Sequence, residues 1–225
     1  MEKLNELTTK KFNHDGVEYN FWGLPNEHIF KQVPWYERGL LDYLKSLNKH
    51  GVYIDVGGNI GNHSLYFLNH CDSTKLYVFE PEDFCHEILK RNLETNVNRE
   101  YVLSKLAVWD KETDLKLIRF ESFNNTGMSS VEESINGDGD IKANSLDNII
   151  SFNENVALIK IDAEGSEPKV LEGAISIIKM NMPVIICEAA IQAEFDVINN
   201  ILLPLGYKKP TQRFNATPTY VWVKI

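Results

Sequence analysis

Between Val52 and Ser64 an apolar run climbs to Asp55, breaks at Gly57 and Gly58, and resumes as an apolar helical pattern after Gly61. That order reads as a strand, a tight glycine turn and a helix N-terminus, because glycine tolerates the turn and lets backbone come close to a ligand. No other stretch constrains the fold as strongly.

The rest of the chain repeats the alternation. Residues 76–79 read as a second core strand ending at Glu80 and Pro81, followed by a helix repeating through Phe84 and Ile88 and through Cys85, Leu89 and Leu93. Residues 101–109 read as a third strand, residues 115–120 as an extra one, and residues 121–139 as a polar, glycine-bearing stretch. Ser145 is expected to cap a short helix. Residues 156–161 form a fourth core strand leading into Asp162, and one helix is expected from Ser166 through Ile178. Residues 184–187 form a fifth strand ending at Glu188, and a helix through Ile191 and Leu202 stops at Pro204. Residues 206–214 and 219–225 read as a closing strand pair. Before the core, residues 7–22 read as a hairpin turning at Asp15 and Gly16, and Pro34 opens a helical stretch through Leu44.

Strands separated by helices imply a mostly parallel sheet covered on both faces. With 225 residues, 43% of them hydrophobic, one sizeable core and one domain are expected, residues 1–35 being a hairpin extension and 36–225 the core. The 23 Lys and Arg face 32 Asp and Glu, a net charge of -9 that repels phosphate backbones, so nucleic acid is not an expected partner. No apolar run approaches membrane-spanning length, and no signal peptide is visible, so a membrane is not expected either. Cys71, Cys85 and Cys187 are too few and too widely spaced for a disulfide framework or a zinc site, and a cytoplasmic location is expected.

Open α/β sheets bind ligands beyond the carboxyl ends of their strands. Asp55, Glu80, Asp162 and Glu188 all fall there, so four acids converge on one rim. Each alone could be a cap or a solvated acid. An acid ahead of the glycines disfavours a diphosphate and suits a ligand with a cationic head, such as S-adenosylmethionine with its ammonium and sulfonium. Glu80, 25 residues after Asp55, can accept both hydroxyls of a ribose, with Pro81 beside it at the donor site. Gly57, Gly58 and Gly61 admit close backbone approach, Asn59 is placed for the amino-acid end of such a donor, and Leu106 and Ala107 for its adenine. Lys160 inside an apolar strand either pairs with an acid across the rim or faces solvent at an edge.

These features, with the runs Asp162-Ala163-Glu164-Gly165-Ser166-Glu167 and Val170-Leu171-Glu172-Gly173-Ala174 and the strand Leu158-Ile159-Lys160-Ile161, resemble the FkbM family of S-adenosylmethionine-dependent methyltransferases over residues 36–188. The resemblance implies an α/β, doubly wound, mostly parallel seven-stranded sheet of the class I methyltransferase (Rossmann-like) type. It implies S-adenosyl-L-methionine as co-substrate and O-methylation of a hydroxyl on a sugar, glycan or natural product. The family's usual turn carries alanine at Gly58, a difference expected to cost only backbone entropy. The segment 124–130 resembles a small polar motif beside the family's active site, although Asn and Gly equally favour a plain turn.

An alcohol must lose its proton to be methylated, and a carboxylate or histidine is the usual recipient. Asp162 is the first candidate base and Glu164 the second; for Glu164 the alternative is a favourable charge at a helix N-terminus. Trp35, Tyr36 and Glu37 are expected to border the donor or to be plain core. Residues 132–140 form either a lid or a solvated loop. A metal held by Asp162, Glu164 and Glu188 has no supporting His or Asn spacing, so none is expected. Two rival readings stand beside methyl transfer. One is a nicotinamide oxidoreductase, against which the glycine spacing lacks the G-x-G-x-x-G form. The other is a donor-binding scaffold without turnover.

Overall fold

The computed structural model describes residues 2–119, 129–134 and 137–224. It opens with strands β1 (Thr8–His14) and β2 (Val17–Gly23), paired antiparallel from Thr8–Gly23 to His14–Val17. Asp15 and Gly16 turn the hairpin with positive φ at both positions, the twist that matches right-handed strands. Two helices follow, α1 (His28–Lys31) and α2 (Arg38–Ser46).

The core then alternates: β3 (Gly51–Val56), α3 (Asn62–His70), β4 (Ser73–Phe79), α4 (Asp83–Asn96) and β5 (Tyr101–Ser104). Four short strands come next: β6 (Ala107–Val108), β7 (Thr113–Ile118), β8 (Ser130–Glu133) and β9 (Ile141–Asn144). The chain closes with α5 (Leu146–Ile149), β10 (Val156–Ile161), α6 (Glu167–Glu172), α7 (Ile175–Asn181), β11 (Val184–Glu188), α8 (Gln192–Leu202) and β12 (Thr219–Trp222).

Six strands form the main sheet in the order β12-β11-β10-β3-β4-β5, parallel except for β12. Its two faces bury alternate residues, as a two-residue period requires. Tyr53, Leu158 and Ile186 pack with α2, α3, α4 and the hairpin, whereas Ile54, Ile159 and Ile185 pack with α5 to α8. Burial on both faces explains why these strands read as continuous apolar runs.

The expected seven-stranded sheet is corrected in two places. The run 101–109 is not one strand: after Ser104 the chain leaves the main sheet, and Ala107 and Val108 pair with Ala143 and Asn144 in a separate mixed sheet ordered β6-β9-β7-β8. An apolar run does not record a change of partner. The closing pair is reduced to β12 and isolated bridges at Tyr207–Lys224 and Phe214–Thr219. Pro210 offers no N–H and its neighbours are polar, so no ladder forms there. The single helix expected over 166–178 is two. Asp147 accepts the N–H groups of Ser176 (2.9 Å) and Ile177 (3.0 Å), so the chain restarts as α7 under a carboxylate cap.

The hairpin is fastened by asparagines rather than by another strand. Asn92 Oδ1 accepts Trp22 N–H (2.6 Å) while its Nδ2 donates to Trp22 O (3.0 Å) and to Ile60 O (2.7 Å). Asn96, one turn later, makes the same pair of bonds to Asn20. The edge of β2 is thereby covered, and the hairpin is tied to the glycine turn through one side chain.

Candidate functional site at the strand ends

From β3 the sheet runs outward to β4 and β5 on one side and to β10 and β11 on the other. The order reverses between β3 and β10, and a crevice opens there at the carboxyl ends. It holds a cavity of about 420 Å³, within the range of roughly 300–1,000 Å³ usual for small-molecule sites.

The turn after β3 builds one wall. Gly57 N and Gly58 N both donate to Phe79 O at 3.0 Å, and Gly61 N donates to Gly58 O at 2.9 Å. Gly57 has φ 77°, and a Cβ there would run into the Asp162 carbonyl. No other residue type fits that close approach. Asn59 N donates to Glu80 Oε2 (2.8 Å) and Glu82 N to Glu80 Oε1 (2.9 Å), so this carboxylate spans the floor of the cleft. Burial is the main cause that lifts the Glu80 pKa to about 7, against the pull of its two backbone donors. Each oxygen keeps acceptor capacity. Asn59 lines the cavity, and its Oδ1 is buried with no hydrogen-bond partner among the described residues.

Of the residues expected at the donor site, Gly57, Asn59, Glu80, Pro81, Leu106 and Ala107 line the cavity. Asp55, Gly58 and Gly61 do not line it. Asp55 is the main correction: its fully buried carboxylate accepts Ser64 Oγ–H (2.6 Å) and faces the Lys160 ammonium at 3.2 Å. Strand alternation turns it under α3 rather than toward the rim. Gly58 and Gly61 lie against Leu89 instead of a ligand. A Cβ at Gly58 would meet Val78 Cγ1 at 2.5 Å and Leu89 Cδ2 at 3.0 Å. Exchange with alanine there demands repacking as well as entropy.

The opposite wall is acidic. Asp162, Glu164 and Glu188 line it together with Tyr36 and Glu37. Asn62, at the start of α3, holds Tyr36 by its backbone, accepting from its N–H (3.1 Å) and donating to its carbonyl (3.0 Å). Burial, then the charges of Glu37, Asp162 and Glu188, raises the Tyr36 pKa to about 12. Glu167, buried behind the wall, accepts the N–H groups of Ala163 (2.9 Å) and Gly165 (3.2 Å) and so closes the acidic turn. Glu164, with φ 49°, is exposed at the cleft mouth. The protein crowded around its carboxyl, with Asp162 and Glu167, raises its pKa to about 7. Glu188 rises to about 8 through burial and the charges of Asp162, Glu164, Glu167 and Glu37. Lys160 resolves its two readings: it pairs, with Asp55 at 3.2 Å and Asp162 at 3.4 Å.

Several wall residues carried no sequence signal. His28 and Ile29 arrive from the four-residue helix α1, Leu117 and Val131 from the small sheet, and Thr217 from ahead of β12. Glu82 also lines the cavity, capping α4 by accepting Cys85 N–H at 2.8 Å. Ser129 lines the cavity, but most of the polar segment 124–130 lies outside the described residues. The His, Cys, Asp and Glu side chains that come within ion-holding distance of one another among the described residues are His14, Asp15 and His70, on the hairpin side.

The comparisons with known proteins agree with this architecture. Similar solved structures include the methyltransferase FkbM from Methylobacillus flagellatus KT (TM-score 0.52, 19% identity, 77% of this chain and 43% of that one). Others are a putative rRNA-methylase from Clostridium thermocellum (TM-score 0.50, 10% identity, 86% and 97%) and a ribosomal protein L11 methylase from Lactobacillus delbrueckii subsp. bulgaricus (TM-score 0.50, 10% identity, 84% and 76%). At these identities the likeness is one of fold, and the chain spans less than half of the first structure's length. No curated protein matches the chain in sequence. A model of the methyltransferase FkbM domain matches residues 55–209, which hold the glycine turn, Glu80 and the acidic turn after β10, and the chain therefore belongs to the FkbM methyltransferase family.

Proposed function

We propose that the protein is an S-adenosylmethionine-dependent O-methyltransferase of a hydroxylated small molecule, sugar or glycan. The observation that carries the reading is the Glu80 carboxylate on the cleft floor, fixed by two backbone N–H groups beside the Gly57 turn. A carboxylate so held accepts the two hydroxyls of a ribose, and the unpartnered Asn59 Oδ1 accepts an ammonium hydrogen. Leu106 and Ala107 offer an apolar slot for a base. S-adenosylmethionine supplies the methyl group as an electrophile and leaves as a neutral thioether.

On the acceptor side, Asp162 takes the proton from the attacking hydroxyl as the new C–O bond forms and the C–S bond breaks. Glu164 and Glu188 orient the acceptor. Holding oxygen, methyl and sulfur on one axis supplies much of the acceleration. Among the described wall residues there is no Lys or Arg, while Glu37, Glu164 and Glu188 face the space, so the acceptor is neutral or cationic rather than a phosphate or carboxylate. The net charge of -9 is a further reason to exclude nucleic acid. No helix among the described residues is long and apolar enough to cross a membrane.

Calorimetry with S-adenosylhomocysteine and NAD tests the donor: binding of the first and not the second is expected, and the reverse would restore the oxidoreductase reading. Transfer of labelled methyl to hydroxylated acceptors, lost in Asp162→Asn with donor affinity kept, separates an enzyme from a scaffold.

A further inference from the structure

Lys160 is the one lysine in a strand whose neighbours Leu158, Ile159 and Ile161 are almost fully buried. An ammonium placed there loses its hydration, and only close partners offset that cost. Its partners are set by register. In the parallel ladder Lys160 stands opposite Asp55, and alternation puts Asp162 on the same face of β10 as Lys160. The ammonium donates to Gly57 O at 2.8 Å and lies 3.2 Å from Asp55 Oδ1 and 3.4 Å from Asp162 Oδ2. It therefore touches both turns at the point where Gly57 abuts the Asp162 carbonyl.

We propose that Lys160 is the positioning residue joining the two halves of the centre, clamping the glycine turn through Gly57 O while holding Asp162 as an oriented carboxylate. The inference rests on the reading of Asp162 as the base and of the Gly57 turn as the donor wall. Three charges meet here, one positive and two negative. Asp55 matches the Lys160 charge inside the fold, where Ser64 also bonds it. Asp162 faces the cavity, surrounded by Glu37 ahead of α2, Glu164 and Glu167 of its own turn, Glu188 of β11 and the Tyr36 phenol. Among the described residues Lys160 is the cation within ion-pair reach of Asp162, and its ammonium fixes where that carboxylate points. His63, buried, lies 3.3 Å from Glu37 and lines the same small pocket as Lys160 and Asp162.

Removing Lys160 alone would strand the buried Asp55 charge, so the test pairs Lys160→Met with Asp55→Asn, a variant that leaves no buried ion and keeps the Ser64 bond. Aspartate carboxyl carbons are labelled, and the Asp162 resonance is assigned by its loss in Asp162→Asn. In the double variant the Asp162 carboxyl-carbon resonance is expected to shift at fixed pH, because the ammonium 3.4 Å from its Oδ2 is gone. S-adenosylhomocysteine affinity is expected to fall about tenfold, because Gly57 O is no longer held. An unchanged resonance together with unchanged affinity overturns the clamp. The donor reading fails separately, if the unmodified protein itself binds no S-adenosylhomocysteine while the double variant still shifts the Asp162 resonance.

Discussion

The turn after β3 and the turn after β10 stand side by side at one end of the sheet, and they are finished differently. The first spends its backbone N–H groups on the protein: Gly57 and Gly58 N–H on Phe79 O, Asn59 N–H on Glu80, Gly61 N–H on Gly58 O. The second closes its backbone on Glu167 but leaves carboxylates over: Glu164 and the neighbouring Glu188 have no hydrogen bond or ion pair among the described residues. A turn with its donors satisfied holds a fixed shape, as a binding template must. A wall of unpartnered carboxyl groups, with Glu188 raised to about 8 and Glu164 to about 7, can hold or release protons near neutral pH, as acid–base work requires. The contrast supports the proposed division, with shape recognition at β3 and β4 and chemistry at β10 and β11.

The largest expected effect comes from Gly57→Ala, where the added methyl collides with the Asp162 carbonyl at a φ of 77°. S-adenosylhomocysteine binding should fall at least a hundredfold in calorimetry, and near-native affinity would mean that the first turn is not a rigid template. Glu80→Ala frees the N–H groups of Asn59 and Glu82 and removes the diol acceptor. Its affinity for the same ligand should drop about ten- to a hundredfold, a loss of about 1.4–2.7 kcal/mol.

Gly58→Ala tests the packing beneath that template. Because φ is not positive there, the cost is the displacement of Val78 and Leu89, about 1–3 kcal/mol by chemical denaturation. Glu188→Gln probes the other turn and should leave donor affinity within about threefold, since the group lies on the wall opposite the glycine turn. Its signature is the pH dependence of stability. The Glu188 pKa is raised by folding, so the native state holds its proton more tightly than the unfolded chain. That advantage is complete below the unfolded value and is lost as pH rises toward about 8. Stability of the unmodified protein should thus decline over that window, and less steeply in Glu188→Gln. Parallel melting curves across pH would remove Glu188 from the unmatched wall.

Much of this contrast is written locally in the sequence. The glycine turn, Glu80 at its strand end, and the Asp162–Glu167 run are each set by a few neighbouring residues, and their spacing alone places them on one rim. The hairpin turn at Asp15 and Gly16 is legible for the same reason. Asp55 was misplaced because a strand end fixes a residue's height in the sheet but not which packed helix covers its side chain. Its partner Lys160 lies on a strand far along the chain, and their adjacency exists only through register. Likewise the departure of β6 from the main sheet follows from the availability of β9, which no property of residues 101–109 reveals.

The sequence by itself determined the alternation of strands and helices, the glycine turn and the acids that crown the strands, since these follow from period, glycine conformation and local charge. Tertiary structure alone decided which acids face the cavity and which are neutralised inside. Burial, strand register and ion pairing are properties of residues brought together from distant parts of the chain, and the free energy of a charge depends on what surrounds it.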